Sequence, residues 1–121
     1  GASVTYAGGG GGAGETDKPG GAGGAGGGGK GSGNSSASVA GTANTGGGGG
    51  SPLTGDTAAS GNGGSGVVIM SFVTDDFTAL GWTVTGGTIT TDGANTVHTF
   101  NSSGTFTITA GAGADDFTIW L

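Results

Sequence analysis

The chain has 121 residues, of which 35 are glycine, and a formal net charge of −6 with two residues that are Lys or Arg. Binding to nucleic acid or to an anionic membrane surface depends on clustered Lys and Arg, so the composition argues against both partners. No apolar run approaches the roughly 20 residues that span a bilayer, and we expect no membrane insertion. The chain has no cysteine, which excludes disulfides and thiolate metal sites.

The glycines divide the chain into two regions. Residues 1–66 contain 28 of them and residues 67–121 contain seven, which together make the 35. Charged residues are 8 % of the chain, against about a quarter in a typical soluble protein. We therefore predict two domains, a glycine-rich region over 1–66 and a β-strand region over 67–121.

The glycine-rich region alternates glycine runs with polar intervals that contain turn-forming residues. From composition alone, it is typical of a flexible linker without function beyond its reach. The runs are 8–12, 26–29, 46–50 and 63–64, and the intervals are 15–19, 30–45 and 51–60.

If this region is ordered, backbone hydrogen bonds must stabilise it, because it has almost no side chains to bury. Fixing a backbone residue costs about 1–2 kcal/mol, and glycine loses the most freedom. Extended helices with three residues per turn point their N–H and C=O groups outward. Packed side by side, such helices bond to one another wherever no Cβ intervenes. We favour this interpretation and predict a bundle of extended polyglycine-II-like helices, with the polar intervals as end turns.

From Val67 onward, polar and apolar residues alternate, which is typical of half-buried strands. Thr and β-branched residues dominate, as pleated surfaces prefer. Gly86-Gly87 is predicted to close a hairpin, residues 75–80 are the one candidate for a short helix, and residues 1–6 are a further candidate strand. The predicted strands of this region are 67–72, 81–85, 88–91, 96–100, 105–109 and 117–121.

The β-strand region carries few large apolar residues. Below roughly 70–80 residues a single core is marginal unless something supports it, and neighbouring copies of the chain would supply that support. The predicted fold is therefore mainly β with an irregular glycine-rich region: the helix bundle plus a small antiparallel β-sandwich. The predicted assembly is a homo-oligomer or filament.

Six stretches of the chain have recognisable patterns. Two of them end in glycine runs, a third joins glycines to Val67, and three are short strand motifs; in chain order they are 2–12, 40–50, 63–69, 87–90, 97–100 and 103–107. The first three resemble recurrent segments of glycine-rich domains in bacteriophage tail fibres and related environmental proteins, and the other three resemble the β motif that accompanies these domains.

The resemblance implies polyglycine-II-like helices beside short strands, on a distal fibre that touches a host surface. The implied location is the virion or the extracellular space, and the implied partner is a bacterial surface glycan or an outer-membrane protein. The chain departs from the pattern at its β motif, which usually precedes the glycine block and here also follows it. The last strand then marks one repeat of an array or pairs with a neighbouring subunit.

Two sets of residues are candidates for contact with partners. Polar intervals on a rigid scaffold are where binding residues usually lie, and an unpaired terminal strand is a common site for pairing with another chain. The candidate surface-contact residues are Glu15, Asp17, Lys18, Lys30, Asn34, Leu53 and Asp56, and the candidate intersubunit strand contains Phe117, Ile119, Trp120 and Leu121.

The sequence predicts no enzyme, no metal site and no cofactor. His98 is the single histidine, and we interpret it as structural because no second histidine exists for metal ligation. The pairs Asp75-Asp76 and Asp115-Asp116 lack calcium-loop spacing and are interpreted as solvated turn acids or as guards against edge pairing. The glycines before Lys30 do not form a phosphate loop, because Gly31 follows in place of Ser or Thr.

Three functions are weighed. The first is a structural and adhesive module of a phage tail fibre, a rigid scaffold that presents loops to a host cell. The second is the repeating subunit of a self-assembling extracellular filament. A carbohydrate-binding module that uses Trp82 and Trp120 is weaker, because both lie in strand patterns that need core residues.

Overall fold

The computed structural model of the protein describes residues 2–53, 59–111 and 115–121. They form two compact units, which we call the glycine unit (residues 2–66) and the β unit (residues 67–121). Within the described residues, regular secondary structure consists of two antiparallel three-stranded sheets and one helix of six residues. The prediction of a mainly β protein with an irregular glycine-rich region is confirmed at this level.

The β unit holds both sheets. The first has the strand order β1-β4-β3 and the second has the order β2-β5-β6. Each predicted strand of this region is present, with ends that differ by at most two residues. The elements are β1 (Val68–Val73), α1 (Thr74–Ala79), β2 (Thr83–Thr85), β3 (Thr88–Asp92), β4 (Asn95–Phe100), β5 (Thr105–Thr109) and β6 (Phe117–Trp120).

The prediction that Gly86-Gly87 closes a hairpin is wrong. Strand β2 pairs with β5, and β3 pairs with β4, so the two strands that flank these glycines belong to different sheets. The glycines have φ angles of +115° and +63°, which suit a tight connection of either kind. The contacts of the flanking strands, and not the turn residues, decide that the chain crosses between sheets here.

The core of the β unit is small. Phe100 and Phe106 are its buried large hydrophobic residues among those described, and His98 is fully buried beside them. The His98 ring stacks on Phe72 at 5.5 Å and meets Phe106 edge-on at 5.2 Å between ring centroids. Since His98 lies on β4 and Phe106 on β5, these rings join the two sheets.

The glycine unit forms no strand within its described residues. This includes residues 2–6, so the prediction of a strand over 1–6 is wrong for the part that the structure describes. Instead, backbone hydrogen bonds connect six segments, and the bonds between one segment and a given neighbour are mostly spaced three residues apart. In chain order, segments one to six are residues 7–14, 20–24, 26–32, 39–42, 45–51 and 61–65.

Segments one, three and five run parallel and form a closed cycle of hydrogen bonds. Segment one donates to segment three, segment three donates to segment five, and segment five donates back to segment one, so each segment contacts both others. Seven bonds of 2.8–3.0 Å form this cycle: Gly8 to Gly26, Gly11 to Gly29, Gly14 to Ser32, Gly29 to Gly48, Ser32 to Ser51, Gly48 to Gly8 and Ser51 to Gly11, donor first.

Segments two, four and six run antiparallel to those three. Each donates at two positions, three residues apart, to a segment of the parallel set, over distances of 2.7–2.9 Å. Gly41 of segment four also donates to Asn62 of segment six, at 2.8 Å. The antiparallel bonds run from Gly21 to Gly12, Gly24 to Gly9, Val39 to Lys30, Thr42 to Gly27, Gly61 to Gly50 and Gly64 to Gly47.

This pattern differs from that of a β-sheet. A strand directs its backbone groups to two sides with a period of two, so it has at most two neighbours in its sheet. Segment one bonds to three neighbours, which are segments two, three and five. With three bonded neighbours and a bonding period of three, segment one is therefore not a β-strand.

The close approach of these segments requires glycine at particular positions. A Cβ atom on Gly10 would lie closer than 3.0 Å to the Gly49 carbonyl oxygen, and one on Gly11 would meet the Gly21 carbonyl oxygen in the same way. On Gly9 and Gly12 it would meet nothing within 4 Å. Glycine is thus a steric requirement of backbone contact at some positions and not at others.

Candidate surface-contact site

Three polar connections of the glycine unit begin at residues that are bonded to one another. Gly14, Ser32 and Ser51 are the last residues of segments one, three and five. The Gly14 N–H donates to the Ser32 carbonyl at 2.8 Å, and the Ser32 N–H donates to the Ser51 carbonyl at 3.0 Å. Because hydrogen bonds join these three residues, the polar intervals that follow them begin side by side.

The first connection is a tight turn over residues 15–18. Its backbone closes with a bond of 3.2 Å from the Lys18 N–H to the Glu15 carbonyl. The Lys18 ammonium pairs with the Glu15 carboxylate at 3.0 Å, and the two side chains are 65 % and 66 % exposed. Asp17 is also exposed, so the turn presents charge of both signs to solvent.

The second connection is a tight turn over residues 33–36. Asn34 and Ser35 have φ angles of +50° and +56°, a left-handed conformation that Asn tolerates better than most residues. The Asn34 N–H donates to the carbonyls of both Glu15 and Lys18, at 3.2 and 3.0 Å. These bonds attach the second turn to the first, so the two turns form one polar surface.

The other predicted contact residues differ in their placement. Lys30 is exposed but lies within segment three, where its carbonyl accepts the Val39 N–H at 2.9 Å. It is therefore part of the hydrogen-bonded region and not of a turn. Leu53 follows Ser51 and is half-buried. Asp56 lies outside the described residues.

A further turn lies over residues 43–46, and none of its residues was predicted as a contact residue. The Asn44 N–H donates to the Ser65 hydroxyl at 2.9 Å, and that hydroxyl donates to the Asn44 amide oxygen at 3.0 Å. The Thr45 hydroxyl donates to the Thr42 carbonyl at 2.7 Å. These side chains hold segment six against the turn. Asn and Thr before glycine are turn-forming residues and were the available signal.

The predicted intersubunit strand is β6 together with Leu121. It pairs antiparallel with β5 of the same chain, and Leu121 exchanges two backbone bonds with Gly104, at 2.9 and 3.0 Å. Strand β6 is an edge of its sheet, and Trp120 and Phe117 are 83 % and 56 % exposed. The intersubunit role stays a prediction, limited to the edge of β6 that does not face β5.

His98 is held in place by one hydrogen bond and by the rings around it. Its Nδ1 lies 2.7 Å from the Gly86 carbonyl oxygen. A carbonyl can only accept, so Nδ1 carries the proton that is donated. The Nε2 atom is buried and has no hydrogen-bond partner among the described residues.

Sequence reasoning did not identify Ser32 of the glycine unit. Its buried hydroxyl also has no hydrogen-bond partner among the described residues.

The acidic pairs lie at the ends of elements. Asp75 and Asp76 are exposed in the first turn of α1, and a carboxylate oxygen of Asp116 accepts the Ala110 N–H at 3.0 Å. Across residues 2–53, 59–111 and 115–121, no three His, Cys, Asp or Glu residues are grouped in a way that would hold a metal ion.

Among the described residues, α1 is the helix, and it is too short to cross a membrane.

The comparison with protein families gives a clear result. The family model described as a glycine-rich domain matches residues 1–73, which is more than half of the 121 residues. The chain therefore belongs to the glycine-rich domain family. The match includes the glycine unit and extends through β1. Comparisons with curated proteins and with solved structures return no match.

Proposed function

We propose that the protein is a structural and adhesive module of a phage tail fibre. In this proposal the glycine unit is a bundle of six polyglycine-II-like helices, and it acts as a rigid scaffold for surface turns. The observation that carries the proposal is the hydrogen-bond period of three, which matches the three residues per turn of such helices. The closed cycle of bonds between segments one, three and five gives the scaffold a backbone-only core.

The polar turns support the adhesive part of the proposal. The turns over 15–18 and 33–36 are joined by the bonds of Asn34, and they follow segments whose last residues are bonded to each other. Exposed residues on a fixed support lose little entropy when they bind a partner. The partner is a bacterial surface glycan or an outer-membrane protein, and the location is the virion. The resemblance of the glycine stretches to tail-fibre segments supports this setting.

This role involves no chemical reaction, so the proposal assigns no catalytic group and no cofactor. Lys18, Asp17 and Asn34 would act by hydrogen bonding and charge at the contact surface. The predicted residue Leu53 would extend that surface along the third connection, and Asp56, which lies outside the described residues, stays a prediction. Lys30, which lies within segment three, is assigned a lesser part in it.

The test exchanges the two turns and measures adsorption of the phage to its host. We expect that replacing residues 15–18 and 33–36 with neutral turns of the same length reduces adsorption while the chain stays folded. As a matched control, the exposed turn over 43–46 is changed at Ala43→Ser, which leaves the Asn44 and Ser65 bonds in place. Unchanged adsorption after the exchange of both turns would refute the adhesive role.

The alternative function is a repeating subunit of an extracellular filament. The observation in its favour is the edge position of β6 with its exposed Trp120. Edge strands pair readily with a second chain. If this function is correct, the purified chain forms filaments in electron micrographs, and deletion of residues 117–121 abolishes them. Discrete particles at all concentrations, or filaments that survive the deletion, would count against it.

A further inference from the structure

A hollow of about 220 Å³ lies in the β unit where the chain crosses from one sheet to the other. It is bounded by the start of β3, the end of β4 and the connection of residues 101–104 that leads to β5. Because Thr88 and Thr99 are opposite each other in the pairing of β3 with β4, the two strands hold one wall in a fixed register. The residues that line the hollow all belong to the β unit.

Glycine keeps this hollow open next to an aromatic ring. Phe100 is only 6 % exposed and lines its base. A Cβ atom on Gly87 would lie 2.7 Å from the Thr99 carbonyl oxygen and 3.1 Å from the Phe100 ring, and one on Gly104 would lie 3.3 Å from that ring. A side chain at Gly87, which also has a φ of +63°, would therefore take up space beside the ring.

The lining offers many neutral hydrogen-bonding groups that the protein does not use. Five of the lining residues are polar, and none of their side chains has a hydrogen bond to another described residue. Elsewhere in the β unit, comparable hydroxyls do find partners, as Thr74 and Thr96 do at 2.7 Å. The five unused side chains belong to Thr88, Thr99, Asn101, Ser102 and Ser103.

The chemistry of the lining selects a class of ligand. Four hydroxyls and one amide can both donate and accept, and no lining residue carries a charge. A charged ligand would find no opposite charge among the lining residues. Drug-sized ligands occupy pockets of about 300–1,000 Å³, so this smaller space suits a single ring. We propose that the hollow binds one neutral sugar ring, such as a hexose unit of a glycan.

This site goes beyond the proposed function, because it places sugar binding on the β unit and not on the turns. A filament subunit could carry it as well as a tail-fibre module could. Its failure would leave the turn-exchange result unaffected, and the failure of that exchange would leave this site unaffected.

The test uses the complete chain labelled with ¹⁵N and titrated with glucose, galactose and N-acetylglucosamine. We expect saturable amide shifts in residues 101–104 and at Thr88, in the millimolar range, with at least one of these sugars. Glucuronate, which has a similar ring but carries a negative charge, is expected to cause weaker shifts or none.

The double variant Asn101→Ala/Ser102→Ala is expected to lose these shifts and to keep its melting temperature, because neither side chain has a hydrogen-bond partner among the described residues. Thr90→Ala, on the same strand as Thr88 but outside the hollow, is expected to bind like the parent chain. Absence of saturable shifts with all three sugars would overturn the proposal. Shifts that persist in the double variant, that centre on Trp82 or Trp120, or that are equally strong with glucuronate would also overturn it.

Discussion

The two units of this protein offset the entropy of folding in different ways. In the β unit, two buried phenylalanines and a buried histidine form the centre, as in most small domains. In the glycine unit the described residues bury no large apolar side chain, and the buried positions are glycines and Ser32. There the stabilising interactions are backbone hydrogen bonds between segments, which contact each other directly because no Cβ separates them. The comparison shows that side-chain burial is not the only way to order a chain of this length.

The largest expected change in stability is in the β unit, because buried side-chain rings form its centre. Phe106→Ala removes one of the two buried phenylalanine rings among the described residues and should cost the β unit about 3–5 kcal/mol of unfolding free energy. Tryptophan fluorescence, from Trp82 and Trp120, measures unfolding of the β unit, and the amide signals of the glycines in residues 8–50 report on the glycine unit, which should remain folded. Phe117→Ala, at a 56 % exposed ring, is the control and should cost less than about 1 kcal/mol. Equal losses of unfolding free energy in both variants would show that Phe106 does not lie in the core of the β unit.

The next effect tests the dependence of the glycine unit on bare backbone. Gly11→Ala places a methyl group against the Gly21 carbonyl and should destabilise the unit by about 1–3 kcal/mol. Gly12→Ala is a control at the adjacent residue, where a Cβ meets nothing, and should change stability by less than about 0.5 kcal/mol. Thermal unfolding followed by glycine amide signals measures both. Nothing in the structure explains why residue 12 is glycine.

A small stabilisation should come from removing a polar group in the glycine unit. The Ser32 hydroxyl is buried and unpartnered among the described residues, so Ser32→Ala should raise the unfolding free energy by about 1 kcal/mol. Ser51→Ala, at an exposed hydroxyl, should have little effect. If Ser32→Ala instead lowers stability, the hydroxyl has a partner, and the unit depends on a side chain at its centre.

Much of the β unit could be predicted from sequence, because a period of two identifies strands from local residues alone. The alternation around Val97 and Phe106 predicted β4 and β5 correctly. The pairing of strands was less predictable: Gly86-Gly87 has the composition of a hairpin turn, but the partners of β2 and β3 are set by contacts distant in sequence. For the glycine unit, the bundle of polyglycine-II-like helices stays a prediction, and a glycine run does not specify which segment bonds to which.

The candidate site was predictable only in part, because contacts between residues distant in sequence also shape it. Turn-forming residues correctly indicated chain reversals near Glu15 and Asn34. The attachment of these two turns depends on one backbone N–H, that of Asn34, and no residue pattern encodes it. Lys30 resembles a turn residue by its polarity, but the hydrogen-bonded segment continues through it to Ser32. The hollow beside Phe100 arises from two chain crossings that bring distant residues together, so only the structure reveals it.

The most direct test of the account is amide hydrogen exchange measured residue by residue along segment one. The N–H groups of Gly8, Gly11 and Gly14 donate to segment three and that of Ala7 donates to Thr45, whereas those of Gly9, Gly10 and Gly12 donate to no described residue. From Gly8 to Gly14 we expect slow exchange at every third residue and fast exchange between them, although these residues are all glycine or alanine. Uniformly fast exchange, as in a flexible linker, or protection at every second residue, as in a strand, would contradict it.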